Sequence, residues 1–356
     1  MFMDKKKEAG IAGVAFFVVL LLTVLFYQKQ EESQLSRYTA TFFEVFDTRT
    51  DIVGYSTDEE TFTEQVTLLK EKLEYYHRLY DIYNDYEGIN NIKTINDNAG
   101  VAPVEVSEDI INLLLFSKKM HDATNGQINV AMGSVLKIWH NYRDAGMDDP
   151  ANAQLPPMED LVAASAYCDI EQIVIDENAM TVYLPDEHMS IDVGSIGKGY
   201  AVQRMAEYAK EIGMESVLLS VGGNVCAVGT KLDGSDWRVG IQNPDTTSDE
   251  AYVGKVDVSD ACVVTSGNYQ RYYVVDGVKY CHIIDGDTLM PADYFVAVSI
   301  VASDSGVADA LSTSVFNMPF EEGLIFVNSL KGVEAMWILN DGSIEYSDGF
   351  EVYVVD

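Results

Sequence analysis

Three short clusters hold most of the chemistry-capable side chains of this sequence. The first is DVGSIGKGYAV, residues 192–202, which sets Asp192, Ser195 and Lys198 among three glycines. Glycines let a backbone come close to a ligand, and a lysine beside them suits a phosphate. The spacing fails the P-loop, which needs four residues between its first glycine and Gly-Lys-Ser/Thr, and it fails GxGxxG as well. The second cluster is TSGNYQRYY followed by YCHIID, within 265–285, with Thr265, Ser266, Gly267, His282 and Asp285. The third is ADALSTSVF, residues 308–316, where Asp309 and Thr313 stand four apart. On a helix that spacing puts a carboxylate and a hydroxyl on one face. Such hard oxygen donors suit Mg²⁺ or Ca²⁺ and not zinc. Each feature alone has a plainer reading: a helix-start carboxylate at Asp309, a helix-core threonine at Thr313, a core histidine at His282, a solvent-facing Lys198. The remaining histidines, His77, His121, His140 and His188, fall in no similar cluster.

The elements that must position these clusters follow from periodicity and turn chemistry. TATFFEVFDTRTDIVGYS, residues 39–56, is aromatic and β-branched and predicts strand. Residues 58–80 repeat at helical spacing, with Phe62, Val66, Leu69, Leu73, Tyr76 and Tyr80 on one side. DIYNDYEGINNIKTINDNAG, residues 81–100, reads as loop. Ser107 is placed to cap a helix over 108–122, and another helix is expected near 131–142. After residue 170 the chain alternates: a hairpin from QIVID and TVYLP, a helix over 197–212, and a strand, Gly-Gly-Asn turn and strand in SVLLSVGGNVCAVGT. Further strands follow, with Asp276-Gly277 as a hairpin turn. FVAVSIVAS is a buried strand, 305–317 a helix, and the C-terminal stretch another hairpin. The expected fold class is α+β: mixed, mainly antiparallel sheets with packed helices, in a single catalytic domain behind an N-terminal transmembrane helix.

Composition bounds the partners. The 356 residues suffice for one large domain or two ordinary ones. With 47% hydrophobic and 22% charged residues, the chain is not a disordered one. A net charge of −34 repels nucleic acid and anionic headgroups, so no nucleic-acid partner is expected. It also means that an anionic ligand needs a local cation, which a divalent metal on carboxylates would supply. Lys5-Lys6-Lys7 precede an uncharged apolar run over 9–27. At about 1.5 Å per residue that run spans roughly 28 Å, close to a bilayer core of about 30 Å. Positive residues stay inside, so the rest of the chain is expected outside the cell membrane as a single-pass protein. The expected layout is a cytoplasmic basic tail (1–8), a transmembrane anchor (9–27), a polar tether (28–38) and the catalytic domain (39–356). A cleaved signal peptide is the competing reading, but the run is long for one and no clear Ala-x-Ala site follows. Cys168, Cys226, Cys262 and Cys281 are scattered without a CxxC, which disfavours a metal cluster. Four lone core cysteines are the favoured reading, with an extracytoplasmic disulfide as the other.

Taken together, the clusters resemble the ApbE family of flavin transferases, which move FMN from FAD onto a threonine or serine of another protein. DVGSIGKGYAVQRMAEYAKEIGMESVLLSVGGNVCAVG is similar to the family's Asp-hydrophobic-Gly-Gly-Ile-Ala-Lys-Gly block and its Gly-Gly-Asn turn. TSGNYQRYY and HIID resemble its Thr-Ser-Gly-Asp-Tyr and His-Ile-x-Asp segments, and ADALST its Ala-Asp-Ala-Leu-Ala-Thr metal motif. NGQINVAMGSVLKIW resembles its Gly-Ala-Phe-Asp block. The resemblance implies flavin-nucleotide contacts at Asp192 and Lys198, and at Ile283, Tyr83, Phe46, Gln127, Ile128 and Asn129. It implies a Mg²⁺ site from Ser195, Gly197, Asp309 and Thr313. The chain departs from the pattern where Met-Gly-Thr reads Phe46-Asp47-Thr48, where Phe-Asp reads Ile128-Asn129, and where Asp-Pro-x-Thr-Gly reads Asp285-Gly286-Asp287-Thr288-Leu289.

The implied reaction is attack of a target Thr or Ser hydroxyl on the FMN-side phosphorus of FAD, with AMP leaving. FAD is then a substrate and Mg²⁺ the cofactor. His282 is the expected base, with Asp285 orienting or replacing it. The implied partner is an acceptor flavoprotein of an electron-transfer chain at the membrane. Two alternatives use the same residues: a Mg²⁺-dependent FAD pyrophosphatase giving FMN and AMP, and a non-catalytic extracytoplasmic flavin-binding protein.

Overall fold

The structure is a computed structural model that describes residues 35–355 together with Leu20 and Thr23. The basic tail, most of the tether and the expected anchor, apart from Leu20 and Thr23, lie outside the described residues. Among the described residues no helix is long and apolar enough to cross a membrane.

Eight strands build the principal sheet: β1 (Ser36–Val45), β2 (Thr48–Ser56), β3 (Val217–Val221), β4 (Asn224–Val228), β5 (Cys262–Gly267), β6 (Phe295–Ala302), β7 (Val333–Leu339) and β8 (Ile344–Tyr346). They lie side by side in chain order, and every neighbouring pair is antiparallel. The α+β class with mainly antiparallel sheets is therefore as expected. Eight helices interrupt this meander among the described residues: α1 (Glu59–Tyr80), α2 (Ile92–Asp97), α3 (Glu108–Ala123), α4 (Gly133–Asp148), α5 (Met158–Ser165), α6 (Gly197–Glu211), α7 (Ser305–Phe316) and α8 (Phe320–Ser329).

Alternation along the strands explains the layers. One face of the sheet, with Ile52, Leu219, Val264, Ile300 and Trp337, packs in the main core under α1, α6 and α7. The other face, with Ala227, Val263, Val301 and Met336, packs on the three-stranded sheet of 237–242, 252–258 and 354–355. A third, smaller core lies between α4 and the hairpin of Tyr272–Val275 and Val278–Cys281, around Trp139, Tyr273 and Ile284.

Helix α1 forms where its periodicity places it. Asp58 caps it by accepting from the Thr61 N–H at 2.8 Å, and the expected stripe from Phe62 to Tyr80 is buried. The expected strand over 39–56 is two strands, and the first begins earlier, at Ser36, inside the expected tether. The break falls at Phe46-Asp47, whose φ values of 52° and 51° make the tight hairpin turn. Helix α2 replaces part of the expected 81–100 loop. Asn91 and Thr94 close a capping box around it, which gives six residues a helical start. Helix α4 runs to Asp148, six residues beyond the expectation.

The cysteine reading needs correction. Cys226 and Cys262 face each other across β4 and β5 and form a disulfide, while Cys168 and Cys281 are free. Their pairing is set by strand register, which spacing in the chain does not display. Both are buried, so the bond staples the sheet from inside its core. Unfolded, unreduced protein should therefore expose two titratable thiols, rising to four after reduction. Four thiols without reduction would exclude the bond. Replacing both cysteines by alanine should lower stability by about 2–4 kcal/mol in urea denaturation.

Candidate functional site

The loop at 192–199 and the start of α7 meet at one point. The Gly199 N–H donates to Asp309 Oδ2 at 2.7 Å. Glycine is needed there for space: a Cβ on residue 199 would stand 2.3 Å from the Asp309 Cβ and 2.4 Å from the Ser305 carbonyl oxygen. Asp309 is buried, and that burial pushes its carboxyl above the ordinary range. The Lys198 cation and the Gly199 N–H oppose the push. Asn224, fully buried, turns its carboxamide toward Asp309 and also eases the carboxyl down, short of a hydrogen bond of its own.

Lys198 is tied in the same way. Its Nζ donates to the Gly222 carbonyl at 2.7 Å. Burial lowers its pKa, and the Asp309 carboxylate works against that. Gly222 opens the Gly-Gly turn between β3 and β4 with φ at +48°, pressed so close on Thr48 that no side chain fits.

Hydroxyls complete the polar cluster. Ser266 Oγ lies 2.8 Å from Ser312 Oγ and 3.5 Å from Thr313 Oγ1. Ser312 Oγ donates to the Asp309 carbonyl at 2.9 Å, and Thr265 shares a 2.8 Å hydrogen bond with Ser299. Thus Asp309 and Thr313 stand on one helix against the loop that carries Ser195 and Gly197. The donors are all oxygen, with a single carboxylate, which is Mg²⁺-type and not zinc-type chemistry. The described residues accordingly gather no group of three or more His, Cys, Asp or Glu fit to hold a metal.

A second set of contacts surrounds Asp192, which is buried and accepts from the Gly194 N–H at 2.8 Å. Its other oxygen is 4.0 Å from Nε2 of His140, whose Nδ1 lies 3.1 Å from the Tyr83 hydroxyl. Burial draws His140 down, partly offset by Asp192. The structure therefore joins two expected nucleotide contacts, Asp192 and Tyr83, through a histidine that the sequence clusters omit. Leu136, Trp139, His140 and Arg143 occupy one face of α4 at spacings of three, four and seven, which was a readable sign. The Tyr83 side chain is 60% exposed, so its ring is free to meet a ligand.

His282 shares a cleft with His140 and Arg143. Its Nδ1 lies 3.2 Å from the Arg271 carbonyl, and its own N–H donates to that oxygen at 3.1 Å. A carbonyl only accepts, so Nδ1 carries the proton and Nε2 keeps a lone pair. Crowding by the surrounding walls, then the Arg271 cation, draws His282 below the ordinary imidazole range, to about 4. The side chain still faces solvent, which works against the crowding.

The other expected residues are placed differently. The Asp285 carboxylate accepts from the Asp287 N–H at 2.8 Å and the Thr288 hydroxyl at 3.0 Å, so both oxygens shape its own loop. Ile283 is buried. Phe46 sits in the β1–β2 turn, with its ring edge-on to His77 at 5.5 Å. Gln127 and Asn129 line a cavity of about 320 Å³ with Met132, Cys168 and Asp287. Gln127 Oε1 is buried without a partner there. Asn129 braces the wall, accepting from the Ala131 N–H at 2.9 Å and donating to the Cys168 carbonyl at 2.7 Å. Ile128 is fully buried in the main core behind this wall.

A sequence model of the ApbE family matches residues 46–337. An FAD:protein FMN transferase of Treponema pallidum is 32% identical over 272 residues, 72% of this chain and 73% of its own length. One of Klebsiella pneumoniae is 27% identical over 292 residues, 82% of this chain and 85% of its own. The crystal structure of the ApbE protein from Thermotoga maritima superposes with a TM-score of 0.79 at 27% identity, over 90% of this chain and all of that one. The flavin transferase ApbE from Vibrio cholerae shares the fold, with a TM-score of 0.72 at 22% identity, over 89% of this chain and all of that one. The chain belongs to the ApbE family.

The contact of α6 with α7 can be tested directly. Gly199→Ala adds a methyl where Asp309 already stands, so the helices must part. Overpacking of this kind costs about 1–3 kcal/mol, and urea denaturation should show that loss. A variant with wild-type stability would mean that the approach is not tight.

Proposed function

We propose that this ApbE-family chain is a Mg²⁺-dependent transferase that moves FMN from FAD to a threonine or serine hydroxyl of an acceptor flavoprotein and releases AMP. The observation that carries the reading is the Gly199–Asp309 contact. It gathers a buried carboxylate, Thr313, and the loop of Ser195, Gly197 and Lys198 at one place. Asp309, Thr313, Ser195 and the Gly197 carbonyl are the residues that would hold the metal. Their oxygen chemistry fits it, with the Asp309 carboxylate as the one charged donor. When bound, a divalent cation neutralises phosphate oxygens and stabilises the charge that develops on transfer.

The chain's own residues supply the rest. His282 presents an unprotonated Nε2 at neutral pH, the form that takes a proton from an attacking hydroxyl. Lys198 holds positive charge against the loop without leaving its carbonyl partner. The exposed ring of Tyr83 offers an uncharged surface to the rest of the dinucleotide, and the cavity bordered by Gln127 and Asn129 offers polar groups beside Asp287.

The acceptor is inferred to belong to an electron-transfer chain at the membrane. The catalytic domain is inferred to sit on the extracytoplasmic side, held by the 9–27 segment. Two features support that side: the Lys5-Lys6-Lys7 run before the apolar stretch, and the Cys226–Cys262 disulfide, a bond that persists in oxidising compartments. Protease added to intact spheroplasts should remove the domain, and full protection would place it inside.

The activity is tested by incubating the protein with FAD and Mg²⁺, with and without a Thr/Ser-bearing acceptor. Transfer requires AMP release together with a flavin mass added to the acceptor. AMP and free FMN appearing equally in both would make the protein a pyrophosphatase. His282→Asn should bind FAD normally and slow single-turnover transfer by roughly 10²–10⁴-fold. Because its pKa is lowered, His282 gains a proton only in more acid solution than an ordinary histidine does. The acid limb of kcat/KM should therefore fall below pH 6.5, toward about 4, and should vanish in His282→Asn. A limb at or above 6.5 would assign the titration to another group.

A further inference from the structure

Arg271 has a position that neither the clusters nor the polar network explains. It immediately precedes the hairpin strand Tyr272–Val275, whose first residue pairs with Cys281. The next pair outward is Arg271 with His282, closed by the two hydrogen bonds to the Arg271 carbonyl. Opposed residues of an antiparallel pair project to the same side. The arginine is exposed, and its guanidinium has no ion pair or hydrogen bond among the described residues.

Among the other arginines of the described residues, Arg37 alone shares that isolation. Arg49, Arg78, Arg143, Arg204 and Arg238 each have a carboxylate within 4 Å. Arg271 instead stands beside other positive groups. Its charge helps lower His282, and Arg143 bears on His282 as well. Lys198 cannot relieve this, since its ammonium is tied to the Gly222 carbonyl and faces Asp309. Arg271 is the cation beside His282 with its donors unengaged.

We propose that Arg271 is an anion clamp of the nucleotide site, its guanidinium fork receiving phosphate oxygens of the dinucleotide's pyrophosphate beside His282. The assignment rests on the flavin-nucleotide reading and adds a substrate-contacting residue to it. A guanidinium presents parallel N–H donors matched to two phosphate oxygens, which a lysine cannot reproduce.

The test compares ligands that differ only in phosphate. Dissociation constants for FAD and for riboflavin are measured by flavin fluorescence on the full chain with Mg²⁺, in wild type, Arg271→Ala and Arg271→Lys. Inorganic pyrophosphate is measured alongside by calorimetry. Arg271→Ala should weaken FAD and pyrophosphate roughly ten- to hundredfold and leave riboflavin unchanged. Arg271→Lys should recover part of the loss, from charge without the fork. Unchanged FAD and pyrophosphate affinity would overturn the clamp. An equal loss for riboflavin would also overturn it, because the residue would then be shaping the site as a whole. If wild type binds pyrophosphate but no flavin, the flavin reading fails. The clamp then stands or falls on whether Arg271→Ala loses the pyrophosphate.

Discussion

A buried carboxylate is expensive unless it is hydrogen-bonded or paired, and the architecture around Asp309 answers that constraint. Gly199 supplies an N–H at 2.7 Å, and Lys198 supplies positive charge from the next position in the loop. Lys198 is in turn held by the carbonyl of Gly222, and Gly222 has Thr48 pressed against it. One acid thus ties together α7, the first turn of α6, the β3–β4 turn and the β1–β2 hairpin. These pieces come from four distant stretches of chain. Their meeting explains why the glycines of the loop do not follow a nucleotide-loop spacing. Gly199 makes room for a neighbouring helix, a different task from cradling a phosphate.

The same constraint shows which residues were legible before the fold was known. Helix α1 was readable because its stripe and its Asp58 cap are local. The strands of the principal sheet were readable for the same reason, as alternation and turn residues sit within each hairpin. Asp309 and Thr313 were paired by helical spacing alone. Three things were not visible at that range. The Cys226–Cys262 bond depends on register between strands 36 positions apart. His140 gained its meaning from Asp192 and Tyr83, which lie far away in the chain. Asp285 looked like a reactive carboxylate beside a histidine, yet its oxygens close the turn that follows. A carboxylate's role is decided by where its lone pairs go, and sequence does not record that.

Charge distribution links the two halves of the site. The chain is strongly acidic, but the charges of Arg271, Arg143 and Lys198 all bear on His282. This positive patch has two effects with one origin. It favours an anionic ligand, and it adds to burial, the larger cause, in keeping the imidazole unprotonated. Phosphate arriving at Arg271 would cancel part of that field, and an added negative charge raises the proton affinity of a nearby histidine. The imidazole would then be a stronger base with the nucleotide in place than without it. Its Nε2 is already free, because the Arg271 carbonyl holds the proton on Nδ1. The backbone of Arg271 thus sets the tautomer of His282, while burial first and the arginine's charge second keep the ring neutral. A phosphate held at Arg271 would thereby raise the basicity of His282 beside it.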